Sequence, residues 1–153
     1  MDVLAVRVHR PDGWVVDAVR LLVNGRDLVE LAHDAEHASA QADGQPAIAG
    51  AYEGLAAQEV LAPSRHLLGE PLAHLEVIDD GRVALLGCEC GEAGCWPLLA
   101  RVEATGEYVT WSEFAQPHRA QWRHDSLGPF TFDRAQYESA LGFRSGSSAA
   151  GDV

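Results

Sequence analysis

Apolar and polar positions follow short strand-like runs at both ends of the chain, with helical spacing between them. Val3 to His9 and Trp14 to Val23 are β-branched and apolar with polar residues interspersed, and Arg10-Pro11-Asp12-Gly13 joins them through a Pro-Asp-Gly turn. The pair predicts a hairpin. Asn24-Gly25-Arg26 ends the second strand, and Asp27-Leu28-Val29-Glu30 has the form of a capping box, with Leu28, Leu31, Ala32 and Ala35 following at helical spacing. A helix is expected from Asp27 into the late thirties. From Ala38 to Gly54 the chain turns to Ala, Gln, Ser, Gly and Pro, the composition of a long loop, and Leu55 to Leu61 predicts a short helix ended by Pro63.

In the second half, Leu75 to Asp79 and Arg82 to Cys88 flank Asp80-Gly81, a two-residue hairpin signal, and Trp96 to Ala104 and Glu107 to Phe114 flank Thr105-Gly106 in the same way. These runs predict a four-strand antiparallel meander. Gly128-Pro129 introduces a short apolar strand, Phe130-Thr131-Phe132, and Asp133-Arg134-Ala135-Gln136 opens a last helix to about Leu141. The fold class is therefore α+β: a largely antiparallel sheet, made of the N-terminal hairpin plus the meander, with two or three helices. Residues 1–144 form one domain in this reading, and 145–153, which offer nothing to bury, a disordered tail.

Composition narrows the partners. A chain of 153 residues can bury a core without help from a metal or disulfide. The formal charge of -12, from 23 acidic residues against 11 basic ones, argues against a nucleic-acid or anionic-membrane surface and favours a protein partner with a neutral or basic one. Every basic side chain is an arginine, the usage of a GC-rich genome. No window has the apolar length that crosses a bilayer, and Met1 to His9 has no basic leader, so a cytoplasmic location is expected.

Candidate chemistry is concentrated in one loop. All three cysteines lie in Cys88-Glu89-Cys90-Gly91-Glu92-Ala93-Gly94-Cys95, between two apolar runs, with glycines that let the backbone turn back. An odd number of clustered thiols in a reducing compartment points to metal ligation or redox chemistry before structural disulfides. Strand counting supplies a fourth ligand. If the strand ending at Cys88 runs up, Trp96 to Ala104 descends and Glu107 to Phe114 climbs again, which returns Pro117-His118-Arg119 to the cysteine loop. Cys88, Cys90, Cys95 and His118 would then form a Cys3His zinc site, with His124 in reserve. Two other readings stand beside it. Cys88 and Cys95 could form a reversible disulfide, or Cys90 act as a nucleophile, although the C-x-x-C redox motif is missing and Glu89 and Glu92 would raise a thiol pKa. Alternatively, the cysteines are small buried residues on a tight hairpin.

Other polar groups read more simply. His33 and His37 lie one helical turn apart but lack the H-E-x-x-H signature, and an outer polar face explains them. Ser64, Arg65 and His66 lack a nucleophile elbow and an orienting carboxylate, so Ser64 is expected to cap a turn while its neighbours tie the loop down. Trp111 is expected in the core, and Trp96 and Trp122, at element ends, partly exposed. Arg119, Arg123 and His124 form one locally basic cluster that either docks a small anion or an acidic peptide or offsets Glu113 and Asp125.

Two resemblances follow from these residues. The spacing of Cys88, Cys90 and Cys95 resembles the zinc-binding post-SET segment of histone-lysine methyltransferases, which implies three cysteines on one zinc with a fourth ligand from elsewhere; the methyltransferase motifs themselves are missing. Leu85-Leu86-Gly87-Cys88 through Cys95-Trp96-Pro97, Val109-Thr110-Trp111, Pro117-His118-Arg119 and Gly128-Pro129-Phe130-Thr131-Phe132-Asp133-Arg134 to Tyr137-Glu138, with the helix entry Val23-Asn24-Gly25-Arg26-Asp27-Leu28, look like a set of small bacterial proteins, common in actinomycetes, without an established activity. That likeness implies a whole-chain domain and no reaction. Two function classes remain: a non-enzymatic binding or adaptor domain with a structural zinc, such as an acidic immunity- or antitoxin-like partner, or a small thiol- or metal-dependent enzyme. An enzyme should keep a cysteine exposed beside an open position, whereas an adaptor's cysteines should be sequestered.

Overall fold

The computed structural model describes residues 1–144; the expected tail over 145–153 lies outside them. Among the described residues are eight strands and three α-helices, an α+β architecture on one antiparallel sheet. β1 (Leu4–His9) and β2 (Ala18–Val23) form the predicted hairpin, paired from Leu4↔Val23 to His9↔Ala18. Its connection is longer than the Pro-Asp-Gly turn alone, since Trp14 to Asp17 leave the sheet. The two-residue β3 (Arg26–Asp27) pairs with β2 and feeds α1 (Leu28–Ala42). The Asp27 carboxylate accepts the Val29 N–H at 2.9 Å and caps that helix at the predicted residue, while Glu30 pairs with Arg26 and not with the Asp27 backbone.

The expected loop over Ala38 to Gly54 is corrected by three elements. Ala38 to Ala42 continue α1, Pro46–Ile48 make a 3-10 turn, and β4 (Tyr52–Ala56) joins β2 to β5 in the middle of the sheet. The helix predicted over Leu55 to Leu61 shrinks to α2 (Ala57–Val60). Leu75 to Asp79 is not a strand, because Leu75 is buried at the end of a 3-10 turn, Ala73–Leu75. The meander accordingly lies one strand further on: β5 (Val83–Cys88), β6 (Leu98–Ala104), β7 (Tyr108–Ala115) and β8 (Phe130–Asp133) are successive neighbours.

The sheet is open, but it curls until its ends meet at one bridge, Asp2↔Phe132. Beyond that bridge the Gln136 side chain stands in for a strand, accepting from Leu4 N at 3.1 Å and donating to Leu4 O at 2.7 Å. Gln136 belongs to α3 (Arg134–Ala140), whose N-cap Asp133 is again the predicted one. Leu21, Leu86, Leu99, Trp111, Phe132 and Tyr137 centre the main apolar core, while Ala40, Ala49 and Trp122 form a smaller one under the C-terminal end of α1. No described helix is long and apolar enough to cross a membrane.

Candidate metal centre

The cysteine loop connects β5 to β6, and its conformation follows from its glycines and its anchors. Cys88 to Gly91 close a turn through Gly91 N–H to Cys88 O at 3.0 Å, with Gly91 in the left-handed region at φ +96°. Ala93–Cys95 then form a 3-10 turn that folds back over Gly87, where a Cβ would meet the Ala93 Cα at 3.0 Å. From outside, the Trp14 indole donates to Glu89 O at 3.2 Å, so the excursion between β1 and β2 holds the loop.

The result is a convergence of thiols. The sulfurs of Cys88, Cys90 and Cys95 all lie within 4.8 Å of one another, none in a disulfide, with Cys88 half-buried and Cys90 and Cys95 exposed. The Cys90 N–H points at Cys88 Sγ at 3.4 Å. Burial pushes the Cys88 thiol up to about 11, whereas the Glu92 N–H, then the Cys88 thiol, holds Cys90 below its ordinary value. The carboxylates of Glu89 and Glu92 do not dominate Cys90, as composition suggested; a backbone donor does. A cleft of about 440 Å³ runs beside Cys88 and Cys90, lined also by Trp14, Val15 and the ion-paired Glu59 and His74.

His118 comes back to the loop. The pairing Leu99↔Ala115 puts the chain after β7 opposite the start of β6, and the His118 ring stacks on Trp96 at 6.1 Å. Yet among the described residues His118 stands outside the group of converging ligand atoms, and its Nε2 is 3.0 Å from the Gly94 carbonyl oxygen. Because a carbonyl only accepts, Nε2 is the donor. The reserve ligand, His124, is elsewhere altogether.

His124 belongs to a buried polar network that sequence reasoning missed. Glu36, with no exposure, accepts from His124 Nε2 at 2.8 Å, from the Tyr52 hydroxyl at 2.5 Å and from Gly50 N–H at 2.9 Å. Gln116 extends it, donating to the Tyr52 oxygen at 3.2 Å and to Pro97 O at 3.0 Å while accepting the His118 N–H at 2.9 Å. Burial first, then the Glu36 charge, raises the Tyr52 pKa, which keeps the hydroxyl a donor. The network ties α1, β4 and the segment carrying His118 into one rigid support beneath the cysteine loop.

The remaining polar residues take the expected supporting roles, with one correction. Ser64 Oγ bridges Glu59 O and His66 N–H, and Arg65 pairs with Glu70. His66 is fully buried, donating from Nε2 to Ala84 O at 2.7 Å and accepting Leu72 N–H on Nδ1 at 3.3 Å. His33 and His37 are exposed on α1. Trp111 is core, packed on Phe130, Phe132 and Tyr137, and Trp96 is half-buried; Trp122, expected to be partly exposed, is buried at 6% because its indole donates to Asp43 at 2.8 Å and its ring meets Trp96 edge-on.

Comparison with protein-family models, with curated proteins and with solved structures finds no match.

Proposed function

We propose that this chain is a zinc-binding protein of the cytoplasm whose Cys88, Cys90 and Cys95 hold the ion as thiolates. The observation that carries the reading is the mutual approach of the three sulfurs to within 4.8 Å. A tetrahedral zinc with Zn–S bonds of about 2.3 Å sets its sulfurs about 3.8 Å apart, so a contraction of about 1 Å in an exposed turn closes the site. The Cys90 N–H directed at Cys88 Sγ is the kind of outer donor that steadies a metal thiolate. His118, bonded to the residue before Cys95, orients the turn, and the fourth position is left to water or to a ligand arriving from the cleft beside Trp14 and His74. Exposed Cys90 and Cys95 favour this accessible centre over a sequestered structural one. The net charge of -12 suits a protein partner with a neutral or basic surface.

The decisive experiment is native mass spectrometry of the reduced, freshly purified chain, before and after chelation. One zinc per chain, lost in Cys88→Ser and in Cys95→Ser, is the expected result. A well-folded, reduced protein that neither carries nor takes up zinc overturns it. The lowered pKa of the exposed Cys90 thiol favours a second reading, a thiol redox centre; it predicts rapid single-site alkylation of Cys90 that chelation does not change.

A further inference from the structure

A second cleft, of about 750 Å³, is lined in part by Pro117 and Arg119, the neighbours of His118. Its wall includes Arg119 and His124, with Phe114, Trp122, Leu127 and Pro129 as apolar surface. Nine of the chain's 11 arginines are ion-paired with a carboxylate. Arg123, in the same wall, is one of them, bound to Asp125, and Glu113 is taken by Arg101. Arg119 is different. Although acidic residues outnumber basic ones 23 to 11, it has no carboxylate partner among the described residues. Its guanidinium instead lies 5.1 Å over the Trp96 ring and donates one N–H to His118 O at 2.9 Å, which fixes the group without neutralising it.

His124 is fixed just as firmly. Glu36 holds its Nε2 at 2.8 Å, and its Nδ1 has no partner among the described residues. We infer that this cleft binds a small organic monocarboxylate with an apolar body, the carboxylate received by Arg119 and the body lying against Phe114, Trp122, Leu127 and the His124 ring. An un-neutralised, pre-oriented guanidinium suits a planar carboxylate. The wall sets Arg82, Arg119 and Arg123 against Glu113 and Asp125, one positive charge in excess, which suits a monoanion. The inference is independent of the zinc reading, since no cysteine lines this wall.

Benzoate is the probe, titrated into the full chain with nitrogen-detected NMR of the Arg119 and His124 side chains and the Trp122 indole. Saturable shifts of all three are expected. Arg119→Gln should weaken binding at least about tenfold, the loss of one charge-assisted bond, with the rest of the spectrum unchanged. Arg123→Gln, whose charge is already paired, should weaken it by less than about threefold. No saturable shift, equal loss in both variants, or tighter binding of inorganic phosphate than of benzoate overturns the inference.

Discussion

His118 donates through Nε2 to the carbonyl oxygen of Gly94 at 3.0 Å, joining the chain after β7 to the residue that precedes Cys95. The bond places an imidazole at the rim of the thiol cluster without making it a member. Above it, Gln116 accepts the His118 N–H and donates to Tyr52, which donates to Glu36. A line of hydrogen bonds thus runs from the interior of α1 to the turn presenting Cys95, and stiffness in the buried network is transmitted to the proposed metal site.

Replacing His118 by Ala separates a positioning role from a ligating one. Loss of an outer-shell bond is expected to lower zinc affinity by about 10–100-fold while stoichiometry at saturating metal stays one per chain. Competition with a chromophoric chelator measures the first quantity, and the visible spectrum of the cobalt-substituted protein reports the donor set. A cobalt spectrum that shifts between wild type and His118→Ala would mean that His118 is a ligand.

Glu36 is the most consequential polar residue away from the cysteines. Glu36→Ala strands His124, the Tyr52 hydroxyl and the Gly50 N–H in the interior, and a cost of about 3–5 kcal/mol is expected. Urea denaturation should show the midpoint fall with little change in slope. A loss below about 1 kcal/mol would show that water satisfies the network once the carboxylate is gone.

These cases also show what could be read from residues alone. The capping aspartates Asp27 and Asp133, the Thr105-Gly106 hairpin and the return of His118 to the cysteine loop are local or follow from strand length, and pattern suffices for them. β4 is harder: Tyr52-Glu53-Gly54-Leu55-Ala56 has a glycine at its centre and no clean alternation, because it is an inner strand where β2 lies too close for a side chain. Leu75 to Asp79 has strand-like composition, but Leu75 is used to plug the core from a turn. Glu36 was concealed by its charge. Its spacing was the available signal, since Leu28, Ala32, Glu36 and Ala40 fall four apart and are the buried stripe of α1.

Gly54, within β4, and Gly94, in the 3-10 turn of the cysteine loop, should respond very differently to alanine. At Gly54 a Cβ would sit 2.0 Å from the Val19 carbonyl oxygen, so Gly54→Ala must part β4 from β2 and is expected to cost more than about 3 kcal/mol or to abolish soluble expression. At Gly94 a Cβ meets nothing within 4 Å and φ is not in the left-handed region, so Gly94→Ala should change stability by less than about 0.5 kcal/mol and leave metal binding intact. Thermal melts of the two variants side by side test the contrast, and a tolerated Gly54→Ala would contradict the placement of β4.

Acidification should act through His66. The ring is fully buried, and burial lowers its pKa below the ordinary value of about 6.5, outweighing the bond to the Ala84 carbonyl. Protonation would also leave Nδ1–H facing the Leu72 N–H, donor against donor. The unfolded chain takes up this proton at a higher pH than the folded one, so stability is full above about pH 6.5 and falls as pH drops through that value toward the folded pKa. Urea midpoints measured from pH 7.5 down to 5 should decline over that range. His66→Gln, whose carboxamide can keep the bond to Ala84 O, should start less stable at pH 7.5 but show a flatter profile across it. An equal slope in wild type and variant would assign the acid sensitivity to another group.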